Sequence, residues 1–230
     1  MRIAVWNTQQ ASAKRWDPLL SLRPDLAILP ESTRHHARLG PSLLEPEVAW
    51  QWVGDNDAKG LALAGFGHPL NPIDPKGDPG KLSVAATAPS LDLTVLGIWS
   101  RPKPQYPYST EIVDSLKAYD HIIQNHRTII AGDFNLTGDG SEVEGFLGIV
   151  THLKSRGFTS AYHHHFTEPF GVETRPTFFQ GRKSDEPYHI DYLFVSDDLL
   201  PALSSVEVGG YDAWVGAGHS DHVPLTVGFR

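Results

Sequence analysis

Asn7 follows the apolar run Arg2–Trp6, Glu31 closes the stretch PDLAILPE, and Asp133 and Asn135 follow Thr128–Ala131 within GDFN. Asp191 opens the run DYLFV, and Asp221 and His222 stand directly ahead of VPLTV. Acidic and amide side chains thus recur where strands should end or begin, the positions from which a sheet presents groups together at one rim. A lone Asp or Asn there is ordinarily a turn or cap residue. The recurrence argues for convergence instead, because Glu31 and Asp191 adjoin apolar residues where an unpaired charge is costly. Gathered carboxylates repel one another unless a cation binds among them. Oxygen ligands with one imidazole nearby suit Mg²⁺ or Mn²⁺ better than Zn²⁺. Such an ion offsets charge developing on a phosphoryl oxygen, while a carboxylate orients or deprotonates water and a His stabilises or protonates.

The elements that must position these groups are mostly strands. Apolar runs bounded by turn residues predict strands at Arg2–Trp6, Leu26–Leu29, Leu61–Ala64, Leu82–Ala88, Leu91–Trp99, Thr128–Ala131, Ile190–Val195, Val206–Val208 and Pro224–Phe229. Ser109-Thr110-Glu111 reads as a helix start, with Ile112, Leu116, Tyr119 and Ile123 on one face. Phe146, Ile149, Val150 and Leu153 form a second stripe ended by Gly157, and Trp16, Leu19 and Leu20 a third, closed by Arg23-Pro24. The stretch 67–80, dense in Pro and Gly, reads as an irregular surface loop. Strands this numerous, with few helices, disfavour a doubly wound parallel sheet. The expected α/β (α+β) fold is two mixed, mostly antiparallel sheets packed together with helices outside.

A chain of 230 residues is long enough for one sizeable core, and one domain over residues 1–230 is the expectation. The absence of Cys excludes disulfides and thiolate metal sites. The opening MRIAVWNTQQ is too short an apolar run for a signal-peptide core or a membrane span, so a cytoplasmic monomer without a membrane-spanning segment is expected. The net charge of −8 means that contact with nucleic acid must come from a local basic patch or a bound cation. No protein partner can be inferred.

The motifs WN (Trp6-Asn7), PDLAILPE, KGLAL (Lys59–Leu63), LTVLGIW (Leu93–Trp99), IIAGDFN, HIDYLFVS (His189–Ser196) and GHSDHVPL (Gly218–Leu225) span nearly the whole chain. In this order they resemble the endonuclease/exonuclease/phosphatase superfamily, which contains DNase I, exonuclease III and neutral sphingomyelinases. The resemblance implies a four-layered sandwich and metal-assisted attack of water on a phosphodiester. It implies metal ligation by Glu31, with Asn7 and Asp221 contributing. Asp133 would orient or activate water, Asn135 would meet the scissile phosphate, Asp191 would complete the acidic site, and Asp221 would orient His222 against the phosphate. Mg²⁺ or Mn²⁺ is the implied cofactor and nucleic acid the implied substrate. The alternatives are a small phosphoester or phospholipid headgroup, and a binding module that has lost catalysis.

One position departs from the pattern: Trp99 stands where DNase I-like members carry His and exonuclease III-like members carry Tyr. An indole N–H donates one hydrogen bond and cannot act as an acid or base. Tyr106 or Tyr108 offers a phenol from the following loop. With Trp99, Arg101 and His189, these form the candidate substrate-contacting set. Further cationic candidates are Arg34, His35, His36 and Arg38 just after Glu31, and Lys103. Arg175, Arg182 and Lys183 flank PTFFQG, where Phe178 or Phe179 could stack on a base. The run His163–His165 reads as a solvated loop, His219 as structural, and Ser220 as a turn support.

Overall fold

The computed structural model describes residues 1–10, 16–34, 47–80, 82–101, 106–123 and 126–230. His35, His36, Arg38 and Lys103 lie outside the described residues.

Two six-stranded sheets form the frame. The first joins β1 (Arg2–Val5), β2 (Leu26–Ser32), β3 (Val48–Asn56), β4 (Lys59–Phe66), β13 (Leu203–Val208) and β14 (Leu225–Phe229) in the order β13-β14-β1-β2-β4-β3. The second joins β5 (Asn71–Ile73), β6 (Ser83–Ala88), β7 (Leu93–Trp99), β8 (Thr128–Asp133), β9 (Phe158–Ser160) and β12 (Asp191–Ser196) in the order β5-β6-β7-β8-β12-β9. Among the described residues only β1–β2 and β7–β8 pair in parallel, so the sheets are mixed and mostly antiparallel, as expected. A short two-stranded arm, β10 (Phe178–Phe179) and β11 (Pro187–Tyr188), stands apart from both.

Period-two alternation sorts the side chains into layers. Ile3 and Val5, Ile28, Leu61, Leu63, Val95, Ile129, Ala131, Leu193, Leu225 and Val227 meet between the sheets. The opposite face of the second sheet packs on α2 (Tyr108–Ala118) and α3 (Val143–Ser155) through Ile112, Leu116, Phe146, Ile149 and Leu153. The outer face of the first carries Leu19 of α1 (Trp16–Ser21) with Trp214 and Val215. The result is the expected four layers.

Three local expectations change. The stretch 67–80 contains β5, an edge strand that accommodates Pro72 because its outer side needs no donor. The helix expected from Ser109 begins at Tyr108 without a side-chain cap of its own. Its first amides are held from elsewhere: Glu142 accepts from the N–H groups of Tyr108 (3.1 Å) and Ser109 (3.0 Å) and from the Ser109 hydroxyl (2.8 Å). The His run is helical, within α4 (Ala161–Phe166), rather than a solvated loop. His163 packs on Phe170 at 3.5 Å between ring centroids and pairs with Glu173 at 3.0 Å, so it ties the following loop to the helix. Among the described residues no helix is long and apolar enough to cross a membrane.

Candidate active site

The alternation that builds the core also aims the polar strand ends. Ile129 and Ala131 face the other sheet, so Asp133, two residues on, takes the same face at the end of β8. The same parity carries Val5 to Asn7, Leu193 back to Asp191, and Val95 to Trp99. Strand register sets Asp191 and Trp99 on either side of Asp133. Gly132, at φ +146°, cannot be replaced: a Cβ there would sit 1.9 Å from the Ile98 carbonyl oxygen. Asn135 adopts φ +52°, a left-handed conformation that Asn tolerates. In GDFN, then, the Gly permits close strand approach and the Asn permits the turn.

These side chains bond to one another. Asn7 Nδ2 donates to Asp133 Oδ2 at 2.8 Å, and the Asn135 backbone N–H donates to Asp133 Oδ1 at 3.0 Å. His222 Nδ1 lies 2.8 Å from Asp191 Oδ2, and its Nε2 lies 3.9 Å from Asp133 Oδ2. Ser220, buried, accepts the His222 N–H (3.1 Å) and donates to the Asn7 carbonyl (2.7 Å), so it supports the turn as expected. Asp133, Asp191 and His222 are at most 4 % exposed. Asp191 Oδ1 is buried without a hydrogen-bond partner. Burial, then the Asp191 charge, raises the Asp133 carboxyl to about 7, against the pull of His222, Asn7 and Asn135. Burial lowers the His222 imidazole, but the Asp191 charge and hydrogen bond, then Asp133 and Asp221, raise it to about 9. At neutral pH a protonated imidazole therefore stands beside an Asp133 carboxyl close to its own midpoint.

Several expected roles are corrected. Asp191, not Asp221, orients His222: the Asp221 carboxylate accepts instead from Gln9 Nε2 at 2.8 Å. Asn7, expected to help hold the metal and its carboxylates, holds Asp133 through its amide and accepts from the Gln9 N–H at 3.0 Å. Trp99, expected among the substrate contacts, has inward parity and is only 2 % exposed in the intersheet core. It is a platform for two cations, Lys59 Nζ at 5.2 Å and the Arg101 guanidinium at 5.3 Å from the ring centroid. His189 also turns away. The Ile190 and Asp191 N–H groups both donate to Thr177 Oγ1, which breaks the alternation, and the His189 ring packs on Tyr162 with Nδ1 2.9 Å from the Arg175 carbonyl. Burial lowers its imidazole and keeps it neutral.

The remaining candidates divide. Glu31 occupies φ +56° at a bulge in β2, where its carboxylate pairs with Lys59 Nζ at 3.0 Å. Strain of that kind persists only where the surroundings impose it. Asn135 Nδ2 donates to the Ser100 carbonyl at 2.8 Å, which leaves its second amide N–H without a partner among the described residues. Tyr108 comes to the site: burial and then the Asp133 charge raise its phenol, and it lines a cleft of about 310 Å³ with Asn135, Phe178, Gln180 and Tyr188. Tyr106 is exposed, and Arg101 pairs with Asp55 at 2.6 Å. Phe179 is core, whereas Phe178 lies against the His222 ring at 4.6 Å. Arg175 and Lys183 pair with Glu168 and Glu186 on the surface.

Sequence reasoning missed Gln9 and Thr177. Each follows or sits within a quoted motif, but neither falls on an apolar period, so spacing gave no signal for them.

A sequence model described as the endonuclease/exonuclease/phosphatase family matches residues 5–213. Among curated proteins, none matches the chain. Several solved structures share its fold. A point variant of the 3′ phosphatase NExo from Neisseria, bound to product DNA hairpin, is 18 % identical, with a TM-score of 0.75 over 100 % of this chain and 99 % of that one. An AP endonuclease from Archaeoglobus fulgidus is 15 % identical, with a TM-score of 0.74 over 100 % and 99 %. The endonuclease domain of TRAS1, a telomere-specific non-LTR retrotransposon, is 16 % identical, with a TM-score of 0.68 over 100 % and 97 %.

Proposed function

Because this chain belongs to the endonuclease/exonuclease/phosphatase family, whose members are phosphoester hydrolases, we propose that it is a divalent-metal-dependent phosphodiesterase acting on nucleic acid. The observation that carries this reading is the buried Asp133–Asp191–His222 unit at the rim of both sheets, in which His222 Nδ1 bonds Asp191 and Nε2 faces Asp133.

Asp133 accepts the proton of the attacking water, since a carboxylate raised to about 7 is basic enough for the task and ionised above that pH. His222 meets the phosphate with a donated proton, and Asp191 holds the ring in place. The free amide N–H of Asn135 supplies a further donor to a phosphoryl oxygen. The donor set fits a hard cation: Glu31 and Asp221 offer carboxylate oxygens, and Asp191 Oδ1 is a buried oxygen lacking a partner. Asp133, Asp191 and His222 could by distance form a cage of their own, with ligand atoms within 4.8 Å. The His222 Nδ1 is already bonded to Asp191, which argues for Glu31 and Asp221 as the principal ligands. When bound, Mg²⁺ or Mn²⁺ neutralises charge developing on the phosphoryl oxygens. The aromatic cleft beside the site, with Phe178 and Tyr188, supports a nucleotide substrate, because every base offers a face for stacking.

A panel of single- and double-stranded DNA, RNA, abasic DNA and small phosphoesters, each assayed with Mg²⁺ and Mn²⁺, tests the reading. Turnover of a nucleic acid supports it, and turnover of small phosphoesters alone would replace it with the small-substrate alternative. The Lys59–Glu31 ion pair adds a prediction, since an ammonium held on Glu31 competes with a metal for the same oxygen. Lys59→Met should tighten Mn²⁺ binding several-fold in calorimetry. Unchanged or weaker binding would remove Glu31 from the ligand set.

A further inference from the structure

Arg182 lies between the two strands of the β10–β11 arm, and it is held in an unusual way. Its backbone is left-handed, at φ +61°, and its carbonyl accepts the Tyr211 hydroxyl at 2.7 Å. Its guanidinium Nη2 donates to Gln9 Oε1 at 2.5 Å, and the same amide donates through Nε2 to Asp221 Oδ2 at 2.8 Å. The arm itself is seated on the site, with the Phe179 N–H on the Asp221 carbonyl at 2.9 Å and the Phe178 ring against His222.

Other cations singled out above are neutralised by carboxylates: Lys59 by Glu31, Arg101 by Asp55, Arg175 by Glu168 and Lys183 by Glu186. Arg182 has no ion pair among the described residues. A neutral amide separates it from Asp221, which keeps the guanidinium from collapsing onto a carboxylate beside the reacting centre. One of its N–H groups is engaged, and the rest of the planar donor fork is left for an anion. A left-handed backbone pinned at both its carbonyl and its side chain is the kind of local cost that persists where position matters.

We infer that Arg182 binds the phosphate adjacent to the one cleaved, with Gln9 as its positioning residue, so that the enzyme selects oligonucleotides over substrates with a single phosphate. The inference rests on the nucleic-acid reading above. His222 takes the scissile phosphate, and Gln9 links the Arg182 guanidinium to Asp221, the residue before His222, so the two cations would address successive phosphates of one strand. A phosphomonoester or a headgroup with a single phosphate has nothing to offer the second position.

The test uses the full chain with fluorescein-labelled single-stranded and duplex oligonucleotides in Mg²⁺. Arg182→Ala should raise KM about tenfold with kcat within about twofold, and the slope of log affinity against log salt should become shallower by about one. Arg182→Lys should recover part of the KM loss. Gln9→Ala should raise KM by a similar factor, and the paired variant should be no worse than either single one, as residues acting through one contact require. If the wild type cleaves oligonucleotides while Arg182→Ala keeps its KM and salt slope, this inference falls and the nuclease reading stands. A fall in kcat alone would also overturn it, since that is the mark of a structural role. If the wild type cleaves no oligonucleotide, both fall together.

Discussion

Asp191→Asn is expected to lower kcat on an oligonucleotide about a thousandfold near neutral pH, within the range that loss of a positioned acid produces. The amide matches the carboxylate in size and still offers an oxygen to His222 Nδ1, so geometry survives while charge is lost. In the wild type that charge and hydrogen bond are the main forces holding the imidazole up at about 9 against burial. Without them, burial disfavours the imidazolium, and neutral His222 has no proton to donate through Nε2. The sign follows from the direction of the shift. The wild-type rate should rise as Asp133 ionises through about pH 7 and fall as His222 deprotonates through about pH 9. In the variant the alkaline fall should begin well below that pH. The same raised imidazole contributes stability that is complete below its ordinary value of 6.5 and lost as pH rises through about 9. The variant's melting temperature should therefore depend less on pH across that window. A kcat–pH profile and a melting series check both statements, and an unchanged alkaline limb would show that Asp191 does not control the ring.

Asp133→Asn should remove at least as much activity, about a thousandfold or more in kcat, without loss of stability. Its carboxylate is the group proposed to take the water's proton, and an amide cannot. Burial, then the nearby Asp191, disfavours its charged form. A carboxylate raised in this way favours the folded state less as pH climbs from 3.8 through about 7, because folding then opposes ionisation. A neutral side chain of the same shape escapes that cost, and its single oxygen keeps one of the two hydrogen bonds that Asn7 makes to Oδ2 and the Asn135 N–H to Oδ1. The variant should melt no lower than the wild type at pH 8, a gain in stability at the expense of function. Differential scanning calorimetry beside a cleavage assay measures both, and a variant that is inactive because it melts early would defeat the argument.

The rim of polar strand ends was legible because alternation is a property of sequence: Asp133, Asp191 and Asn7 sit at even spacing from inward-facing Ala131, Leu193 and Val5. The two packed sheets were legible for the same reason. Partner choice was not. Asp221 adjoins His222 in the chain, yet neighbouring side chains at a strand entrance diverge, and the ring instead meets Asp191, which β12 brings from across the sheets. Trp99 looked like a substrate contact because it occupies the slot of an acid or base. Its parity with Val95 is the better guide, and it places the indole inside, beneath Lys59 and Arg101. His189 failed the parity rule because Thr177 captures two consecutive N–H groups, a tertiary contact that no local pattern announces. The Gln9–Arg182 link joins residues 173 positions apart and has no sequence signature.

On the proposed reading the Asp133–Asp191–His222 unit hydrolyses phosphodiesters of nucleic acid. The most direct test is cleavage of one end-labelled oligonucleotide in Mg²⁺ by the wild type and by Asp133→Asn, prepared side by side and assayed with and without EDTA. Shortened products are expected from the wild type in Mg²⁺, and none from the variant or in EDTA. Equal cleavage by both proteins, or none by a folded wild type with any divalent metal, would contradict it.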